Sequence, residues 1–190
     1  MIWSNNPNLL LACLFLSLFL GILMDMLLAK MIHKEYIPKV ALISTCITLV
    51  FLSVGGYTIG TVANILLCQI LLYASVWDIA THTVPDYVHI LLAIVGVVGF
   101  EFLPAMVGFI VVGLPLFIAA MVSEDKIGGG DVKLMAILGF AIGVNRGFTT
   151  LILGLFFAVI FGIYFSRIKK HNEPLALIPY FSLGCALALL

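Results

Sequence analysis

Two aspartates, each at the end of a long apolar segment, are the residues of this chain best suited to chemistry. Asp78 lies in the stretch 77–86, and Asp131 directly follows Gly128, Gly129 and Gly130. Two carboxyl groups held close together cannot both ionise at low cost, so one keeps its proton while the other stays charged. Such a pair can act as general acid and general base on a water molecule between its members. The two aspartates therefore predict a catalytic dyad that hydrolyses a bond without a covalent intermediate.

The residues next to these aspartates suit the binding of an extended peptide. Three glycines present no side chains that would obstruct a substrate strand, and they adopt backbone angles closed to other residues. Asp86 follows a proline at the start of an apolar segment, where an acidic residue caps a helix or positions a substrate. Lys133 is close enough to Asp131 to influence its ionisation, or long enough to reach lipid head groups. The predicted substrate-binding residues are Gly128, Gly129, Gly130, Asp86 and Lys133.

The composition places the chain among membrane proteins. Its 190 residues are 64% hydrophobic and 9% charged, with a mean hydropathy of +1.28. Breaks in the apolar sequence predict one domain, an all-α polytopic bundle with about eight transmembrane segments. The net charge of zero and the lack of a basic stripe argue against nucleic-acid binding. The predicted segments are about 9–29, 40–57, 61–77, 86–103, 104–122, 131–145, 148–166 and 174–190.

The positive charges predict how these segments are oriented. If the segments alternate in direction, the connections 30–39, 78–86, 123–133 and 167–171 share one side, which holds eight of the nine Lys and Arg residues. Only Arg146 lies on the other side. The excess of positive charge assigns the crowded side to the cytoplasm. Two segments separate Asp78 from Asp131, so both aspartates are predicted at the cytoplasmic border.

The sequence around both aspartates resembles the signature of the type IV prepilin peptidases, a branch of the Gly-x-Gly-Asp intramembrane aspartic proteases. The first element reads Asp78-Ile-Ala-Thr-His-Thr-Val-Pro-Asp86, and the second reads Gly128-Gly129-Gly130-Asp131-Val132-Lys133-Leu134. The downstream Ala136-Ile137-Leu138-Gly139 and Ile178-Pro179-Tyr180 also match the habits of the family. The resemblance covers roughly residues 61–190 and rests on both elements occurring in order.

The resemblance implies a function and a location. It makes Asp78 and Asp131 the catalytic pair of a bacterial cytoplasmic-membrane protease whose site faces the cytoplasm. Its substrates would be prepilins or pilin-like proteins, whose basic leader is cut just before a hydrophobic helix. No cofactor is implied. No metal is predicted either, because His82 and His89 lack an obvious third ligand.

One departure from the larger members of that family narrows the prediction. Those proteins carry a cytoplasmic domain after the first span, often with paired Cys-x-x-Cys motifs, which is associated with methylation of the new N-terminus. Here only residues 30–39 join the first two segments, and they contain no cysteine. The sequence therefore predicts a peptidase without methyltransferase activity, with residues 1–57 as reduced N-terminal spans and 61–190 as the protease core.

Two other functions are compatible with an acidic pair in an apolar chain. A small transporter or assembly scaffold would use the two aspartates to handle protons or a cation, although no internal repeat is evident. A presenilin-like protease shares Gly-x-Gly-Asp but not the Val84-Pro85-Asp86 element. The sequence also leaves open whether Asp25 pairs with Lys30 or points into the bundle, and what the oligomeric state is.

Overall fold

Every element of secondary structure in the described part of the chain is a helix. The computed structural model describes residues 7–32, 39–98, 101–122, 128–169 and 175–190. Four of the helices, Pro7–Ile32, Ile59–Thr81, Phe102–Val122 and Gly129–Lys169, are long and apolar enough to cross a membrane. The prediction of an all-α membrane bundle is thus confirmed. The helices are α1 (Pro7–Ile32), α2 (Lys39–Gly55), α3 (Ile59–Thr81), α4 (Asp86–Gly96), α5 (Phe102–Val122), α6 (Gly129–Lys169) and α7 (Ile178–Leu189).

The helix α6 consists of two arms that fold back on each other at Gly143. This glycine has φ 79° and ψ 176°, a conformation that side chains with a Cβ rarely adopt. A Cβ atom placed on Gly147 would lie 3.3 Å from the Cα of Gly139, whereas residues eight apart in a straight helix are separated by about 12 Å. The two arms correspond to the predicted sixth and seventh segments and bring the described helical segments to eight, of which α2, α4 and α7 are short. The break lies at 143 rather than at the predicted 145–147.

Close contact between α5 and the first arm of α6 fixes the position of that arm. A Cβ atom on Gly139 would overlap the carbonyl group of Gly108, and one on Gly113 would lie 2.8 Å from the Cβ of Ala136. Small residues at these positions let two helix backbones approach each other directly, as in other membrane bundles. Because the arm begins at Gly129, this contact also sets where the Gly128–Asp131 segment lies.

Asp25 connects the two N-terminal helices. Its side chain is 6% exposed, and its carboxylate accepts hydrogen bonds from the backbone N–H groups of Val40 (3.4 Å) and Ala41 (3.0 Å). These N–H groups belong to the first turn of α2, where they have no partner within the helix. Asp25 therefore points into the bundle and caps α2, which decides between the two alternatives left open by the sequence.

A buried polar cluster then joins this N-terminal hairpin to α3. The Ser17 hydroxyl lies 3.0 Å from that of Ser44 and 2.7 Å from that of Thr48. The Gln69 side chain of α3 donates to Ser17 over 2.9 Å. Hydrogen bonds between buried polar groups are directional, so they fix how α1 and α2 sit against α3. The remaining helices surround the site: α3 contacts α4 and α7, while α6 contacts α4, α5 and α7.

Candidate active site

Asp78 lies in the last turn of α3 and is held by the first turn of α7. The carboxylate is 6% exposed, and its Oδ2 accepts a hydrogen bond from the backbone N–H of Ile178 over 3.2 Å. A negative charge near a helix C-terminus is unfavourable on its own, whereas the N-terminus of a second helix attracts it. The structure uses α7 in this way, although α7 begins 100 residues further along the chain.

A pair of serines holds α7 in this position. The Ser182 hydroxyl contacts that of Ser75 on α3, and it is also 2.7 Å from the carbonyl oxygen of Ile178. Ser75 precedes Asp78 by about one turn of α3, and Ser182 follows Ile178 by about one turn of α7. The serine contact therefore lies directly beneath the Asp78–Ile178 hydrogen bond and supports it.

The chain leaves α3 through a left-handed residue immediately after the aspartate turn. His82 has φ 50°, and its N–H donates to the carbonyl oxygen of Asp78 over 2.8 Å, which ends the helix. Pro85 then begins α4 without a side-chain cap. The extended 83–85 segment thus runs from Asp78 to Asp86 across one end of the bundle.

Asp131 lies in the first turn of α6, where the positive end of the helix dipole favours an acidic side chain. Its N–H donates to the carbonyl oxygen of Gly128 over 3.0 Å. A Cβ atom on Gly128 would lie 3.3 Å from Asp131 Oδ2, so the glycine leaves room for the carboxylate. Asp131 lines the same cavity as Asp78.

One cavity of about 300 Å³ brings all the residues predicted for the site together. It opens at the end of the bundle where α3 ends and where α4 and α6 begin. The predicted residues that line it are Asp78, Asp86, Gly128, Gly129, Gly130, Asp131 and Lys133, and they are joined by His82, Thr83, Val84 and His89. The return of the chain through α4 and α5 thus places both aspartates at the same level, as the count of two intervening segments predicts.

Asp86 and Lys133 form an exposed ion pair at this cavity. Their closest atoms are 3.5 Å apart, and their side chains are 83% and 64% exposed respectively. An ion pair in contact with water contributes little to folding stability. Asp86 is also the first residue of α4, where its charge suits the helix dipole. Both side chains are therefore accessible to a charged substrate.

His89 is the cavity residue whose structural role the sequence did not reveal. It is 6% exposed, and its Nε2 lies 3.3 Å from the carbonyl oxygen of Gly130. Its Nδ1 is buried and has no partner among the described residues. From the sequence alone, this histidine is a candidate only for a metal ligand. The sequence feature that indicates a role at the site is its position one turn after Asp86, on the same side of α4.

Comparison with known proteins identifies the family of the chain. The model of the type IV leader peptidase family matches residues 65–163, slightly more than half of the chain. The match begins in α3, includes both aspartates and the glycines between them, and ends in the second arm of α6. No curated protein and no solved structure matches the chain. Because this family model matches more than half of the chain, the chain belongs to the type IV leader peptidase family.

Proposed function

We propose that the protein is an aspartic endopeptidase that removes the basic leader peptide from type IV prepilins or pilin-like proteins. The observation that carries this proposal is the joint position of Asp78 and Asp131 in one cavity. The two residues come from α3 and α6, which line one cavity in the folded bundle, and the range matched by the leader peptidase family includes both. A transporter would need its acidic pair along a path through the membrane, whereas this cavity lies at one end of the helices.

The chemistry follows from a shared proton. With one carboxyl group protonated and the other ionised, the ionised group takes a proton from a water molecule as the water attacks the peptide carbonyl. The protonated group donates to the carbonyl oxygen, and the amine leaves after it receives a proton from the pair. Asp78 and Asp131 fill these two roles together, and the mechanism needs no residue that forms a covalent bond with the substrate.

The charge of the cavity suits a basic leader peptide. Three of its lining side chains are carboxyl groups, from Asp78, Asp86 and Asp131, and a single lysine, Lys133, faces them. A surface with this balance attracts cations. The glycines 128–130 line the cavity together with the aspartates, and a Cβ atom placed on Gly129 would have no atom within 4 Å, which leaves space there for an extended strand. A leader with several Lys or Arg residues would be drawn to the cavity while the following apolar helix stays in the bilayer.

We further propose that the cavity faces the cytoplasm in a bacterial inner membrane. Of the eight positive residues assigned to that side, Lys34, Lys126 and Lys170 lie outside the described residues. We expect a membrane-impermeant maleimide to label Lys133→Cys only from the cytoplasmic side and Arg146→Cys only from the outside, in a chain whose native cysteines are replaced. Both positions are exposed. Labelling of both variants from the same side would contradict the topology.

Co-expression with a prepilin tests the activity. We expect the wild-type protein to cut the leader just before the apolar helix, since that junction is where the basic segment meets the membrane border. We also propose that the chain acts as a peptidase only, so the mature N-terminus should carry no added methyl group when its mass is measured. An uncut prepilin would overturn the proposed activity, and a methylated N-terminus would overturn the restriction to peptidase activity.

A further inference from the structure

We propose that His89 is a positioning residue that ties the first turn of α6, and with it Asp131, to α4. The inference rests on the proposed function, because Asp131 is one of the two residues assigned to catalysis. It concerns a side chain that lies within the cavity wall and contacts the backbone of the residue just before Asp131.

The hydrogen bond fixes which role Nε2 of the ring plays. Because Nε2 faces the carbonyl oxygen of Gly130 at 3.3 Å, this nitrogen must carry a proton and donate it. A carbonyl oxygen has two lone pairs, so it can accept from His89 and still accept the helical hydrogen bond within α6. In the neutral form of the ring, Nδ1 carries a lone pair, and this atom is buried without a partner in the described part of the chain.

That unpartnered nitrogen indicates that the histidine serves more than folding. A buried nitrogen without a hydrogen-bond partner is destabilising, and an apolar side chain at this position would avoid that cost. In return, the ring supplies a donor where α4 lies next to Gly130. Residues 82–85 join Asp78 on α3 to α4. The hydrogen bond from His89 on α4 to Gly130 therefore links the backbone that follows Asp78 to the backbone next to Asp131.

The consequence is a fixed distance between the two aspartates. Glycines allow the backbone a wide range of angles, and three of them precede Asp131, so the segment needs an external restraint. Val84 lies close by, since a Cβ atom placed on Gly130 would be 3.5 Å from its Cγ2. His89 adds the polar restraint on the same residue, and the two together hold Asp131 against the 83–85 segment.

Two variants of His89 separate the hydrogen bond from the volume of the ring. The amide nitrogen of Gln can occupy the place of Nε2 and donate to Gly130, whereas Leu fills the space without a donor. We expect His89→Leu to lower kcat roughly 10- to 100-fold, because a small misplacement of a catalytic group has this effect. KM should change much less. His89→Gln should keep most of the wild-type kcat because it retains the donor. If the ring served only for packing, Gln would have no advantage over Leu.

A second readout does not depend on activity. The Cβ of Val84 would lie 3.7 Å from a Cβ on Gly130, within the range found in disulfides. In a chain with its native cysteines replaced by alanine, Val84→Cys and Gly130→Cys should therefore cross-link readily under mild oxidation. We expect His89→Leu to slow this cross-link severalfold and His89→Gln to leave it unchanged.

Tyr87→Phe is the matched control. It removes a hydrogen bond of 2.7 Å from the same helix to Tyr73 on α3 rather than to α6, so neither kcat nor cross-linking should change. If His89→Leu cross-links at the parental rate, or retains kcat in a preparation whose wild type is active, the inference is overturned. If the wild type cuts no leader, the proposed function fails, and the cross-linking rates alone then decide the role of His89.

Discussion

Asp78→Asn and Asp131→Asn should each lower leader cleavage by about 10³-fold or more. Asparagine has the same shape as aspartate but neither accepts nor donates a proton at the reacting water, and the loss of one acid–base group costs 10²- to 10⁴-fold. The effect should fall on kcat, because the dyad transfers protons in the chemical step. The measurement is the rate of prepilin cleavage by purified variants in detergent.

Asp25→Asn is the control for this experiment. Asp25 and Asp78 are both 6% exposed, and both accept a hydrogen bond from the first turn of another helix. Asp25 lies in α1, away from the cavity. We expect its replacement to lower thermal stability and to leave the specific activity of the folded protein near that of the wild type. Cleavage at the wild-type rate by either dyad variant would contradict the aspartic mechanism.

Gly129→Leu should block the cavity while the fold stays intact. No atom lies within 4 Å of a Cβ placed on Gly129, and the residue is exposed at the start of α6. Leucine also favours a helix more than glycine does, so stability should be unchanged or slightly raised. The new side chain would occupy the space assigned to the substrate strand. We expect cleavage to fall at least about tenfold, because the scissile bond can no longer reach its working position.

Gly60→Leu separates this blocking effect from a general effect of the substitution. Gly60 is exposed in the first turn of α3, and the nearest atom to a Cβ placed there is 3.9 Å away. Both glycines lie in the first turn of a helix and have free space around a Cβ atom. Gly60, however, lies at the opposite end of α3 from Asp78. The Gly60 variant should cleave normally, and both variants should unfold at or above the wild-type temperature. Normal cleavage by Gly129→Leu would contradict the assignment of the glycines to substrate binding.

The sequence predicted the broad architecture because apolar segments and charged residues can be identified directly from the order of residue types. A run of apolar residues long enough to cross a bilayer is visible without any contact information, and the distribution of Lys and Arg then indicates sidedness. The break in α6 was placed two residues too late because Asn145 and Arg146 are the polar residues there. The turn itself depends on Gly143, whose backbone conformation no hydropathy pattern shows.

The sequence predicted which residues form the site but not the contacts that hold them in place. The motif residues are close in sequence to each aspartate, so reading them requires only local information. The amide of Ile178 lies 100 residues from Asp78, and the family match at 65–163 ends before it. The resemblance pointed to 178–180 as a familiar element but gave no reason for it. The structure supplies a physical reason, since the N-terminus of α7 stabilises a buried carboxylate.

The sequence by itself determined that this is a helical membrane protein with two aspartates separated by two segments, in motifs that resemble leader peptidases. Those properties depend on residue type and order along the chain. Only the tertiary structure decided which groups surround the aspartates: the Ile178 amide at Asp78, His89 at Gly130 and the α2 amides at Asp25. Each of these contacts joins residues from different helices, and the packing of helix against helix selects such partners from many that the sequence alone would allow.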